Sequence, residues 1–288
     1  MALTTAFDVD PLPATFGAVV TGVRFADLSA PDFEALYATW LTYGLLILPG
    51  QHLSNDEQVA VARRFGPLEI ELSPISNVRA DGSVRPADSD DDIVKVLKGN
   101  MGWHCDSTYM PVQAKGAVFT AHVVPEAGGE TEWADMAAAY EDLSPKLKAR
   151  IAGRSARHSL RYSQGKVGHV HKGGSAYSGY GMTVEDPPLR PLVKRHPETG
   201  RDCLMVGRHA FGVTGLDAAE SEALLEELTT LACRPPRTWR HSWTPGDAVI
   251  WDNRRLMHRA CPWDMALPRV MYHSRIAGDP VSEFAAAS

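Results

Sequence analysis

The sequence predicts one α+β domain with a double-stranded β-helix, or jelly roll, at its core and helices on the outside. Short β-prone segments over residues 239–243, 247–251 and 270–276 are separated by turn signals. No alternation of strand and helix of the βαβ kind and no internal repeat occurs in the sequence. With 288 residues, 44% of them hydrophobic, the chain can bury a large core, so we expect residues 1–288 to form one domain.

Helix starts are marked by side chains that can cap a helix. Ser29 precedes apolar residues at helical spacing, and Ser54 and Asp217 are each followed three residues later by glutamate, which is a capping-box pattern. We therefore expect helices after these three positions and a further helix over residues 136–151, all of them amphipathic and packed on the core.

Apolar β-prone runs predict strands over residues 18–25, 45–48, 117–124 and 131–134. The polar segments between such elements are predicted to be loops. Residues 70–100 have weak periodicity and many aspartates, which is typical of a loop over a site or of a solvated surface loop.

A second long loop is expected over residues 159–182, which are rich in Gly, Ser, Tyr and His. Such a loop could close over a ligand.

Composition favours a small-molecule partner in the cytoplasm. The formal net charge of −6, with lysine and arginine interspersed, gives no basic field for a nucleic-acid backbone. The four cysteines form no CxxC pair, which indicates reduced thiols rather than disulfides or structural zinc. The amino terminus lacks a signal-peptide pattern, and the longest apolar stretch is far too short to cross a bilayer, so we expect neither secretion nor membrane insertion.

Three side chains are candidate ligands of one metal ion. His104 and Asp106 are two residues apart, so both project from one face of an extended segment. This spacing is weak by itself, but His258 follows a predicted strand and turn and supplies a third ligand. Two histidines and one carboxylate fit the facial triad of non-haem Fe(II) oxygenases, which leaves coordination positions open for a cosubstrate and O₂, whereas zinc prefers other ligand sets.

Other histidines offer rival ligand sets that we discount. His196 and Glu198 flank a proline in a predicted turn between two strands. His169 and His171 lie in the glycine-rich loop without a nearby carboxylate, although a role in covering the site stays open for them.

Two arginines near the carboxyl end predict that the site binds anions. Arg269 begins the last predicted strand and can bind a carboxylate bidentately, with the Thr131 hydroxyl as a second contact. Arg275 lies on the same face of that strand, since side chains alternate along it. Because a buried unpaired charge is costly, this second guanidinium predicts an acidic substrate.

Four longer motifs carry a family resemblance that covers nearly the whole chain. They are WHCDSTY at 103–109, GGETEWADM at 128–136, WDNRRLMHRA at 251–260 and PRVMYHSRIAGD at 268–279. The chain resembles the TauD/TfdA family of Fe(II)- and 2-oxoglutarate-dependent dioxygenases. Within it, SARHSL, GSAYSGYGM and LRPLVKRHPETGR resemble the aryloxyalkanoate branch.

The resemblance implies roles for eight residues. It assigns Fe(II) to His104, Asp106 and His258, and the carboxylate of 2-oxoglutarate to Thr131 and Arg269. It implies that the substrate contacts are Arg275 for its carboxylate, with Asn100 and Tyr162. Enzymes of this family commonly self-associate, so the resemblance also implies a homo-oligomer.

The implied reaction uses O₂ to hydroxylate an aryloxyalkanoic acid beside its ether oxygen, and the product collapses to a phenol plus pyruvate or glyoxylate. One departure is informative, because His273 stands where the taurine enzymes have their sulfonate-binding arginine. Taurine is therefore a poor candidate substrate. The alternatives are an alkylsulfatase or another acid-directed hydroxylase of the family, or a metal-binding jelly roll without catalysis.

Overall fold

The computed structural model describes residues 7–169 and 180–285. Within these ranges the strands are β1 (Asp8–Pro11), β2 (Ala18–Thr21), β3 (Leu45–Leu48), β4 (Leu68–Ser76), β5 (Gly116–Val123), β6 (Thr131–Asp135), β7 (Ser155–His158), β8 (Leu189–Pro191), β9 (Val193–Arg195), β10 (Asp202–Leu204), β11 (Ala210–Phe211), β12 (Thr238–His241), β13 (Ala248–Asp252), β14 (Leu256–Ala260) and β15 (Val270–Ile276). The helices are a 3-10 turn (Phe25–Asp27) and α1 (Ala30–Tyr43), α2 (Asn55–Phe65), α3 (Asp92–Gly99), α4 (Met136–Glu141), α5 (Pro145–Ile151), α6 (Leu160–Gly165), α7 (Ala218–Ala232) and α8 (Pro280–Glu283).

Two sheets position the functional residues. The larger has seven strands in the order β1-β2-β3-β13-β5-β15-β4, and the smaller has three in the order β12-β6-β14. Their pairings are antiparallel except for β2 with β3. The chain is therefore an α+β protein, with mixed sheets and helices around them.

The central strand β13 explains how the layers pack, because its side chains alternate between two apolar surfaces. Ile250 lies in a cluster with Trp40 of α1 and Phe65 of α2, on the outer face of the large sheet. Val249 lies in a different cluster with Trp133 of the smaller sheet. All five residues of β13 are buried, so this strand lies between the helix layer and the second sheet.

The capping signals in the sequence are confirmed. The Ser29 side chain accepts the Asp32 N–H at the start of α1. Both hydrogen bonds of a capping box are present at Ser54 with Glu57, where α2 begins, and an equivalent box opens α7. These features form locally because the interacting groups are three residues apart.

Several predicted boundaries are wrong. The segment 70–100 is not a continuous loop, since it contains the end of β4 and all of α3. The Asp91 side chain caps α3, and Leu97 packs in a cluster with Trp263 from the far end of the chain. The helix has only eight residues within a long polar segment, and burial against a distant residue stabilises it.

Two further segments differ from expectation. The helix predicted over 136–151 is two helices, because Ser144 caps a new helix that starts at Pro145. The loop predicted over 159–182 begins with α6, and residues 170–179 of that prediction lie outside the described residues. In the described ranges, we find no helix with the length and apolar character that a bilayer crossing requires.

Candidate active site

A short backbone pairing brings the three candidate metal ligands together. His104 and His258 form an antiparallel bridge, in which the His104 N–H donates to the His258 carbonyl at 3.0 Å and the His258 N–H donates back at 2.8 Å. The ligand atoms of His104, Asp106 and His258 all lie within 4.8 Å of one another. The structure thus assembles the cluster that the sequence predicted, from two segments more than 150 residues apart.

Neighbouring groups orient these ligands. The His104 Nδ1 atom lies 2.7 Å from the Gly102 carbonyl oxygen, so Nδ1 carries the proton and Nε2 is left for a metal. The Asn253 side chain holds the backbone of Asp106 at both sides, since its Oδ1 accepts the Asp106 N–H at 2.8 Å and its Nδ2 donates to the Asp106 carbonyl at 2.9 Å. The Asp106 Oδ2 atom is buried and has no hydrogen-bond partner among the described residues, as expected for an atom that coordinates an ion.

The electrostatics keep all three side chains in their metal-binding forms. Burial lowers the pKa of His104 to about 3 and that of His258 to about 4, so both imidazoles are neutral at pH 7. Burial would raise the pKa of Asp106, but the charge of the Arg275 guanidinium holds it below its usual value. Neutral imidazoles and an ionised carboxylate are the forms that bind a divalent ion.

Arg269 is a buried cation that forms no ion pair with the described residues. Its side chain is 2% exposed, its Nε donates to the Gly129 carbonyl at 3.1 Å, and its guanidinium lies 5.3 Å from the centroid of the Trp263 ring. None of the described carboxylates pairs with it, and burial lowers its pKa to about 10. The Thr131 hydroxyl accepts the indole N–H of Trp243 at 3.0 Å, and its own proton goes to no described acceptor. These two groups line the cavity with the metal cluster and fit a carboxylate ligand.

Arg275 reaches the same cavity but is already engaged. Its Nη2 lies 3.0 Å from Asp106 Oδ1, and its Nη1 lies 3.3 Å from the Ser107 hydroxyl and 3.1 Å from that of Tyr180. The Ser107 and Tyr180 hydroxyls both donate to Glu69. Its Nε is buried without a described partner. Arg275 therefore orients Asp106, a candidate metal ligand.

Comparison with known proteins identifies the family. A family model described as "Taurine catabolism dioxygenase TauD, TfdA family" matches residues 8–275. The chain belongs to this family. It is 60% identical over 286 residues to a protein named (S)-phenoxypropionate/alpha-ketoglutarate-dioxygenase of Sphingobium herbicidovorans, covering 99% of this chain and 100% of that protein.

Two further proteins are similar to this chain over nearly its whole length. A protein of the same name from Delftia acidovorans is 57% identical, covering 98% of this chain and 99% of the relative. The crystal structure of AAD-2 in complex with Mn(II) and N-oxalylglycine matches with a TM-score of 0.88 and 32% identity, covering 98% of this chain and 99% of that chain. Like other TauD/TfdA enzymes, this dioxygenase uses Fe(II), 2-oxoglutarate and O₂.

The two other predicted substrate contacts of this TauD/TfdA enzyme are placed differently. Asn100 lines the cavity. The Tyr162 ring stacks on Phe211 at 4.5 Å and borders a separate outer groove, whereas Leu160 and Gln164 of the same helix line the cavity. The roles of Asn100 and Tyr162 stay predictions.

The rival histidines have structural partners. His196 lies in the turn between β9 and β10, with its Nε2 2.9 Å from Asp252. His169 lies 3.2 Å from Asp92, and His171 lies outside the described residues.

Sequence reasoning missed several residues that shape the site of this dioxygenase. Asn253 lies within one of the family motifs, but neither its residue type nor its spacing predicts that it holds Asp106. Glu69, Gln164 and His209 carry no signal of this kind in the sequence. Strand β14, which carries His258, was also not predicted, because its sequence Leu-Met-His-Arg-Ala does not alternate between apolar and polar residues. The alternation along β15 was the useful signal, since Arg269, His273 and Arg275 all line the cavity as expected.

Proposed function

We propose that the protein is a 2-oxoglutarate-dependent dioxygenase that hydroxylates and cleaves aryloxyalkanoic acids such as (S)-2-phenoxypropionates and 2,4-D-type phenoxyacetates. The products would be a phenol plus pyruvate or glyoxylate, with succinate and CO₂. The observation that carries this proposal is a cavity that holds a His-Asp-His cluster beside a buried guanidinium without a described carboxylate partner. The (S)-phenoxypropionate relative, similar over its whole length, supports the choice of substrate class.

His104, Asp106 and His258 would hold Fe(II), and the unpaired Asp106 Oδ2 supports this assignment. Arg269 and Thr131 would bind the carboxylate of 2-oxoglutarate that lies away from the metal. When bound, iron, 2-oxoglutarate and O₂ together supply the oxidising power that hydroxylates a C–H bond, with release of succinate and CO₂.

The chain itself contributes binding, orientation and exclusion of water. Arg275, Asn100 and Tyr162 are proposed to contact the substrate, with the carbon that bears the ether oxygen held towards the metal cluster. Aromatic side chains at the cavity, Tyr109, Phe119 and Trp251, provide apolar surface for an aryl ring. Hydroxylation at that carbon gives a hemiketal or hemiacetal, which then breaks down to the phenol and the oxo acid.

We also propose the type of core, the oligomeric state and the cellular location of the protein. Sheet β12-β6-β14 facing the seven-stranded sheet supports a double-stranded β-helix core within one domain of residues 1–288. A homo-oligomer is proposed from the family resemblance, and a cytoplasmic location from the reduced thiols of all four cysteines.

A panel of acids tests the proposal. Both enantiomers of 2-phenoxypropionate, a phenoxyacetate, an alkyl sulfate and taurine are supplied with Fe(II), 2-oxoglutarate and O₂, and phenol and succinate are measured. We expect phenol release from the aryloxy acids, fastest with the (S)-enantiomer, and a stoichiometric yield of succinate. Equal turnover of both enantiomers would contradict the stereochemical part, and succinate coupled to the alkyl sulfate alone would favour the alkylsulfatase reading.

The metal assignment has a separate readout. Fe(II) and 2-oxoglutarate added without oxygen should give a visible metal-to-ligand charge-transfer band, and the Asp106→Ala variant should lack it. A wild-type protein that gives no band would be a binding protein without this chemistry.

A further inference from the structure

Gln164 is a buried amide in the wall of the catalytic cavity. Its side chain is 1% exposed and lies on α6, which separates the cavity from the outer groove that Tyr162 borders. A buried polar side chain of this kind needs hydrogen-bond partners on both its oxygen and its nitrogen.

The contact with Arg208 identifies which end of the Gln164 amide faces the cavity. Its Nη2 lies 3.0 Å from Gln164 Oε1. Because a guanidinium is only a donor, the atom that faces Arg208 must be the amide oxygen. The amide nitrogen, Nε2, is then left with its two N–H groups, and it donates to none of the described residues.

Gly99 leaves space for this pair. A Cβ at that position would lie 2.4 Å from Gln164 Oε1 and 2.8 Å from Arg208 Nη1, so a larger residue there would have to displace the ends of both side chains. The hydrogen bond with Arg208 therefore sets the orientation of the amide, and Gly99 allows it.

Arg275, the other candidate donor to a substrate carboxylate, already makes hydrogen bonds through both of its Nη atoms. Arg275 directs one Nη to Asp106 and the other to Ser107 and Tyr180, which leaves only its Nε. An acid bound in this cavity needs further donors, and a donor to an ionised group makes a stronger hydrogen bond than one to a neutral group.

We propose that Gln164 Nε2 donates a hydrogen bond to the carboxylate of the acidic substrate, which makes Gln164 a specificity-determining residue. This inference rests on the proposed function, because it needs an acid as substrate. On helix α6, Gln164 would be the residue whose polar atom contacts the substrate, since its side chain lines the cavity.

Gln164→Glu is the sharpest variant. A glutamate keeps the size of the side chain and still accepts the hydrogen bond from Arg208, but it replaces the inward donor with a carboxylate oxygen. We expect the KM for (S)-2-phenoxypropionate to rise at least tenfold, the size of a lost hydrogen bond to a charged group, while the KM for 2-oxoglutarate changes less than twofold.

Arg161→Gln is the matched control, since Arg161 is an exposed residue of the same helix and its loss changes the net charge by the same one unit. It should leave both KM values unchanged. Gln164→Met serves as a second variant if the glutamate disturbs folding, and circular dichroism with Mn(II) binding checks that each variant is folded.

The outcomes separate the two proposals. A wild-type protein that releases no phenol from any aryloxy acid sinks the proposed function. Wild-type turnover together with an unchanged KM for the acid in both Gln164 variants overturns the inference, as does a rise in the KM for 2-oxoglutarate alone. A neutral analogue, the methyl ester of the same acid, should lose much less affinity in Gln164→Glu than the acid does.

Discussion

Replacing Arg269 with methionine should separate cosubstrate binding from protein stability. The guanidinium is 2% exposed and pairs with no described carboxylate, and burial lowers its pKa from 12.5 to about 10. Since one pKa unit is worth about 1.4 kcal/mol, keeping this group charged at pH 7 costs the fold about 3 kcal/mol. Methionine removes that cost but also removes the hydrogen bond to Gly129 and the contact with Trp263, which together are worth about 2 kcal/mol.

The expected result has two parts. Without 2-oxoglutarate, the free energy of unfolding should stay the same or rise by about 1 kcal/mol, the difference between the removed burial cost and the lost contacts. The affinity for 2-oxoglutarate should fall about 100-fold, because the loss of a buried charge-assisted contact costs about 3 kcal/mol. Urea unfolding measures the first quantity, and titration of the Mn(II)-loaded protein with 2-oxoglutarate measures the second.

Arg255→Met is the matched control, because Arg255 is equally buried but pairs with Asp135 through contacts of 2.7 and 3.1 Å. Its removal leaves a buried carboxylate without its counter-charge and should cost about 3–5 kcal/mol of stability. If Arg269→Met destabilises the protein as much as this control, or if it binds 2-oxoglutarate normally, Arg269 does not bind the carboxylate of 2-oxoglutarate.

Three other perturbations test the metal ligands, the buried histidines and the packing around glycine. Asp106→Ala should abolish Mn(II) binding in calorimetry while the protein still folds, and retained binding would remove it from the cluster. In the metal-free protein His104 and His258 have pKa values of about 3 and 4, below the unfolded value of about 6.5, so the unfolded chain binds more protons. Stability should therefore be constant above pH 6.5 and fall by about 1.4 kcal/mol per pH unit for each histidine down to those values, measured by urea unfolding, and a flat profile would contradict their burial as neutral groups. Gly278→Ala should cost about 3 kcal/mol, because its Cβ would lie 2.0 Å from a backbone carbonyl oxygen, whereas Gly153→Ala, with open space and φ of +68°, should cost about 1 kcal/mol in the same assay.

Much of the local structure followed from short-range signals. The boxes at Ser54 and Asp217 and the apolar stripe after Ser29 predicted α2, α7 and α1 with their starting residues. Helix α3 was not predicted although Asp91 caps it, because eight residues are too few to form a stable helix alone. Burial of Leu97 against Trp263 stabilises it, and that contact joins residues more than 160 positions apart.

The candidate site also combines features that the sequence predicts with contacts that only the fold produces. Residue type and spacing were enough to propose His104, Asp106 and His258 as one cluster and to expect Arg269 beside it. The contact between Arg275 and Asp106, and the inward position of Gln164 rather than Tyr162, had no signal in the sequence.

By itself, the sequence determined the local elements, the chemical types of the site residues and the family, because these depend on residue identity and on neighbours a few positions away. The tertiary structure alone decided which of these groups meet. The bridge between His104 and His258, the ion pair of Arg275 with Asp106, and the amide of Gln164 held by Arg208 each join separate segments. Such contacts arise from strand register and side-chain packing across the whole fold, and those are properties of the assembled core.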